Sequence, residues 1–167
     1  MKRWLKTFVL MSLPAGPAFA QHHQDDTSVT GSDTVRVLGL VKQVFAISKS
    51  QLAGLNVRTR DTAGAKTEAS FKGILVKDII LKAGVDMPEH KDQGKYLVVV
   101  TAVDGYMASF AYNEIMLAAA GEHAFLVWNE NGEDLKQDGP FALEVYSDSK
   151  RGPRHVKWVK SIEVRKI

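Results

Sequence analysis

The residues best equipped for chemistry lie near the end of the chain, in the run Lys150 to Val164, which reads K-R-G-P-R-H-V-K-W-V-K-S-I-E-V. Its first half gathers Lys150, Arg151, Arg154 and His155 around the turn-forming pair Gly152-Pro153. Its second half alternates like a strand. Val156, Trp158, Ile162 and Val164 share one parity, Lys157, Glu163 and Arg165 take the other, and Lys160 breaks the pattern. A basic loop running into a strand sets guanidinium, imidazole and ammonium donors at a sheet edge. Such donors suit a phosphate, a carboxylate or the oxygens of a polar heterocycle. The plainer alternative is a solvated basic turn beside a core tryptophan.

Other chemistry is sparse. The chain has no cysteine, which removes disulfides, thiolate metal sites and cysteine nucleophiles together. No nucleophile elbow, H-E-x-x-H pair or glycine-rich phosphate loop occurs in it. Glu122-His123 follows a helix stop and reads as a solvated pair. An enzyme working by paired carboxylates stays open at this point, but no residue pattern points to one.

Residues 1–20 have the layout of a secretory signal peptide. Lys2, Arg3 and Lys6 precede the apolar run Thr7 to Leu13, and Ala18-Phe19-Ala20 matches an A-x-A cleavage site. Cleavage after Ala20 predicts export, to a bacterial periplasm. It also removes three of the 22 basic residues and no acid, leaving a formally neutral mature chain with 19 of each sign. The basic isoelectric point is thus no argument for nucleic acid binding. Residues 21–33 are polar and aperiodic, a flexible leader. Within it His23 would stand third after cleavage, a position that can chelate copper or nickel unless Gln21 cyclises.

The elements that must position the basic run follow from residue 34 onward. Thr34 to Val41 alternates as a first strand, and Ser48 with Gln51 resembles a capping box opening a short helix. Asn56 to Arg60 and Lys66 to Phe71 suit two strands around a Thr62–Ala65 turn. Leu75, Val76, Ile79, Ile80 and Ala83 share one helical face ahead of Gly84. Val85 to Gly94 is a polar loop, and Tyr96 to Ala102 an apolar run suited to a central strand. Asp104-Gly105 turns the chain into a strand Tyr106 to Phe110, and Asn113 is placed to cap a helix Glu114–Ala120. Ala124 to Trp128 and Phe141 to Tyr146 complete the set, separated by the Asn131-Gly132 turn. Short strands dominate, no repeat or linker divides them, and the expectation is one α+β domain over residues 34–167 with mixed β-sheets and short helices.

Four of these stretches, in order, resemble the sulfite-oxidase-type molybdopterin-binding domain. They are Phe71-Lys72-Gly73 with Leu75, Asp78 and Ile79; Val103-Asp104-Gly105-Tyr106; Asn131-Gly132 with Leu135, Gly139-Pro140 and Leu143; and Arg154-His155-Val156-Lys157-Trp158. Catalytic members of that family hold molybdenum through a cysteine thiolate. The corresponding region here, Val57 to Ser70, offers Thr59, Thr62, Thr67 and Ser70 but no sulfur. The chain most resembles the small exported members that bind free pterins and report to a membrane-bound cyclic-di-GMP enzyme (the PruR type). The resemblance therefore implies a pterin ligand, no molybdenum cofactor, and a membrane regulator as partner. The alternative it leaves is a degenerate or accessory subunit of a molybdopterin-dependent oxidoreductase.

A pterin presents an aminopyrimidinone edge with paired N–H donors and two aromatic faces. Asp104 is the carboxylate expected for the edge, unless it simply closes its own turn. Tyr106 could supply an edge or a hydroxyl, or pack half-buried in its strand. Arg154, His155 and Lys157 are expected to donate to the ligand's oxygens; the alternatives are a structural role for His155 and solvation for Lys157. Trp128, ahead of a polar loop, is the first choice for stacking, with an aromatic cap on the core as its alternative. Trp158 belongs to the same segment, though its parity favours core packing.

Overall fold

The structure, a computed structural model, describes residues 33–55, 57–61, 69–150 and 152–167. The proposed signal peptide, the leader up to residue 32, and the Thr62–Ala65 turn with Thr67 lie outside the described residues. Two five-stranded sheets form the frame. The first has the order β2 (Phe45–Ser48), β1 (Thr34–Gly39), β10 (Val159–Lys166), β5 (Tyr96–Ala102), β6 (Met107–Ala111). Its β1–β10 pair is parallel and the other pairs are antiparallel, so the sheet is mixed, as expected. The second runs β3 (Arg58–Asp61), β4 (Ser70–Leu75), β7 (Ala124–Glu130), β8 (Glu133–Asp134), with β9 (Ala142–Val145) also paired to β7. Helix α1 (Val76–Ala83) buries Val76, Ile79, Ile80 and Ala83, the face that the 3.6-residue spacing sets together.

The principal core lies between the sheets. Val35, Val37, Val98, Val100, Ile162 and Val164 from the first meet Ile74, Leu126, Trp128 and Leu143 from the second. Strand β5 is buried along nearly its whole length because β10 and β6 flank it. A second, smaller cluster of Phe71, Leu75, Phe125, Val127 and Ala142 occupies the opposite face of the second sheet. That face carries the site described below.

Several local expectations change. The basic-run strand begins at Val159, not Val156, and its register slips between Val159 and Ser161. Lys160 is the extra residue of a bulge. The apolar set thus shifts to Val159, Ile162 and Val164, which explains the parity break read in the sequence. Asn113 lies inside α2 (Tyr112–Met116), which has Ala111 as its N-cap and no side-chain cap. The longer helix ends early because Ala119–Glu122 tightens into a 3₁₀ turn. There Gly121 packs against the Ile115 carbonyl, where a Cβ would fall 1.8 Å from the oxygen. Ser48 precedes a 3₁₀ segment, Lys49–Gly54, and its hydroxyl bonds the Gln51 side chain at 3.1 Å rather than a backbone N–H.

Candidate functional site

The basic segment is anchored by backbone bonds to the chain around β9. Val156 N–H donates to Leu143 O and Leu143 N–H to Val156 O, at 3.2 and 2.8 Å. Trp158 N–H donates to Asp138 O at 2.8 Å and Val159 N–H to Phe141 O at 2.9 Å. Val156 is fully buried between the sheets. Side chains alternate along an extended segment, so His155 and Lys157 point the other way, onto the second sheet's outer face. Glu144, alternating with core residues Leu143 and Val145, meets them there.

Four groups converge as a result. His155 Nε2 lies 3.2 Å from Asp138 Oδ2 and 3.4 Å from Glu144 Oε1, and Lys157 Nζ lies 2.6 Å from Asp138 Oδ1. Glu144 keeps only 5% of its surface exposed. A carboxyl group so far from water needs hydrogen-bonding partners, and the His155 imidazole beside Glu144 is one. Around these polar groups the face is apolar, with aliphatic residues and three aromatic rings. Tyr146 packs against Phe71 at 5.8 Å and Phe125 at 5.7 Å between centroids, and the Arg60 guanidinium lies 5.7 Å from the Tyr146 ring. Beside the cluster opens a cleft of ≈ 480 Å³, bordered by Glu130, Leu135, Asp138 and Lys157. That volume is within the range of small-molecule sites.

The residues expected from the sequence divide between this site and other work. His155 and Lys157 belong to the cluster. Trp158 adjoins it in an unexpected way. It adopts φ +51° and remains about a third exposed, so it is neither in strand parity nor in the core. Its ring lies over Gly139, where a Cβ would come within 2.6 Å of it; only glycine allows that approach. Gly139 thus leaves the room that the Trp158 ring occupies. Arg154 is committed elsewhere. Its Nε donates to Asp148 at 2.9 Å, its terminal nitrogens pair with Asp148 and Glu114, and its plane lies 5.1 Å from the centre of Phe110. Hydrogen bonding to Asp148 raises the guanidinium's proton affinity further, against the opposing effect of desolvation.

Asp104 is exposed and accepts the Tyr106 N–H at 2.9 Å, closing its turn. Tyr106 donates its hydroxyl to Pro153 O at 2.7 Å, tying that turn to the basic loop. Trp128 is buried between the sheets, edge-on to Phe141 at 6.3 Å, which corrects its placement at a pocket lip. The groups missed by sequence reasoning are Asp138, Glu144 and the Tyr146 aromatic set. Glu144 did leave a signal: a lone carboxylate inside the apolar run Phe141 to Val145.

The family match agrees with this architecture. The oxidoreductase molybdopterin binding domain family matches residues 42–167. No curated protein matches the sequence significantly. Among solved structures, the chain is similar to the sulfane dehydrogenase SoxCD from Paracoccus pantotrophus, with a TM-score of 0.59 and 20% identity. That alignment covers 78% of this chain and 37% of the other, so the chain spans well under half the length of that neighbour. At this identity the likeness speaks for the fold. With most of its length matched by the family, this chain belongs to the oxidoreductase molybdopterin binding domain family.

Proposed function

We propose that this chain is a non-catalytic, periplasmic pterin-binding protein that relays pterin occupancy to a membrane-bound regulator of cyclic-di-GMP turnover. The observation that carries the ligand assignment is Glu144, a buried carboxylate on an aromatic-lined face in a molybdopterin-binding domain. A pterin edge offers paired N–H donors, and a carboxylate accepts such a pair. Glu144 is the group we assign to that edge. His155 and Lys157 donate to the ligand's oxygens, and Tyr146 and Trp158 supply aromatic surface. The donor set does not suit a molybdenum centre held through protein sulfur, because the chain has no thiolate and its hydroxyls are poor ligands for a soft dithiolene-bound metal. No redox step is therefore assigned to it.

The relay rests on the expected signal peptide and on the resemblance to small exported pterin sensors. A ligand sensed outside the membrane acts inside through a protein that spans it. Pterin and partner must then change each other's affinity by one common factor. The contact surfaces we assign are Val85–Gly94 and Asn129–Asp138, both carrying exposed charge.

Titration of the exported, purified protein with a tetrahydropterin, followed by calorimetry, tests the ligand. Glu144→Gln should weaken binding by about 1–3 kcal/mol, the loss expected when a charged hydrogen-bond partner is removed. Asp104→Ala should bind as the parent does. Parent-like affinity in Glu144→Gln would move the pterin elsewhere. Turnover of sulfite or a sulfoxide with stoichiometric molybdenum would favour the oxidoreductase-subunit alternative.

A further inference from the structure

The first sheet ends at β6, and the outer edge of that strand is undefended. Ala102 N–H donates to Tyr106 O at 2.8 Å, which makes this a hydrogen-bonded antiparallel pair. Alternation then directs the backbone groups of Ala108 and Phe110 towards their partners Val100 and Val98 in β5. The N–H and C=O groups of Met107 and Ser109 and the N–H of Ala111 point away from the sheet, while the Ala111 C=O, at the N-cap of α2, accepts the first bond of that helix. Among the described residues no strand other than β5 pairs with β6.

Exposed strand edges are normally blunted by charge, proline or brevity. The other edges here follow that rule. Strand β3 carries Arg58, Arg60 and Asp61; β8 is two acidic residues; β2 is four residues long, with Lys42 and Lys49 close to its ends. Strand β6 does not. From Gly105 to Asn113 the chain has no charged residue and no proline, and Met107 is 54% exposed.

We propose that two copies of this chain pair antiparallel through β6 about a two-fold axis at Ser109, joining their first sheets into one continuous sheet. The occupant follows from self-complementarity. A two-fold axis at Ser109 sets Ser109 against its counterpart and Met107 against the partner copy's Ala111, large against small, with no like charges opposed. Ser109 of each copy then exchanges both backbone bonds with its counterpart, and the Ala111 N–H of each copy donates to the Met107 carbonyl of the other. This pairing does not depend on the pterin reading, since Glu144 and His155 lie on the second sheet's outer face.

Sedimentation velocity at micromolar concentration tests it. The parent is expected to sediment as a dimer, and Ser109→Pro and Ser109→Lys as monomers. Circular dichroism should stay as in the parent, because the Ser109 N–H makes no bond to β5, and melting should fall only by what the lost association contributed. As a separate readout, Ser109→Cys introduces the only thiol. Directly opposed hydrogen-bonded residues lie about 5.5 Å apart at Cα, within disulfide reach. Mild oxidation should therefore link Ser109→Cys into dimers while the exposed control Gln137→Cys stays monomeric. A monomeric parent, a dimer that survives both Ser109→Pro and Ser109→Lys, or equal cross-linking of the two cysteine variants overturns the proposal.

Discussion

Arg154 and His155 are neighbours that serve opposite ends of the same loop. Arg154 looks inward to Asp148, Glu114 and Phe110, and its guanidinium holds the loop to α2. His155 looks outward to Asp138 and Glu144. The sequence displays both as donors but not their directions, because direction depends on Val156 being the buried residue between sheets. Asp104 and Trp128 were plausible by the same local reasoning. An aspartate before glycine satisfies its own turn, however, and a tryptophan at a strand end falls into whichever core lies beneath it. Arg154→Ala should therefore act on stability and not on ligand affinity. It leaves Asp148 and Glu114 without their shared cation, a loss of about 1–3 kcal/mol for bonds between charged groups. Chemical denaturation should register that loss, while pterin titration of the folded variant should match the parent.

At the scale of elements, strand and helix cores were legible and their ends were not. Tyr96–Ala102 and Val76–Ala83 follow directly from apolar patterning, since β5 is covered on both faces and α1 on one. The misplaced ends all trace to backbone events decided by packing. Lys160 is extruded as a bulge because Val159 and Ile162 both reach the core. The helix after β6 stops at Met116 because Gly121 must lie against the Ile115 carbonyl, and no periodicity announces a contact that depends on a missing side chain. Gly121→Ala tests that contact. With a Cβ only 1.8 Å from a backbone oxygen, the turn has to move, and a loss of about 1–3 kcal/mol is expected, as for an overpacked core. A parent-like melting temperature would show that the turn relaxes freely.

Over the whole molecule, two sheets share one core, and the outer face of the second sheet carries the proposed ligand site. The fold class was readable because four short motifs kept their order along nearly the whole domain. The ligand face was less readable, since it joins residues from β9, the loop before it and the segment before β10. Among the described residues no helix is long and apolar enough to cross a membrane. The chain's end is held by charge: Asp92 bonds Lys95 at 2.7 Å and Lys166 at 2.9 Å. Those bonds, Lys95 first, hold the Asp92 carboxyl below the ordinary aspartate value. Its stabilising contribution is complete above the unfolded-state value of about 4 and fades as pH falls through the lower folded value. The stability gap between parent and Asp92→Asn should thus be present at neutral pH and close in acid, as paired denaturation curves can show; a gap that widens in acid would contradict the assignment. The central claim is that this domain holds a pterin without molybdenum. Mass spectrometry of small molecules released by denaturing the exported, purified protein tests it most directly: the expected result is a metal-free pterin whose yield falls in Glu144→Gln, and release of intact molybdopterin cofactor, or of no pterin at all, would contradict it.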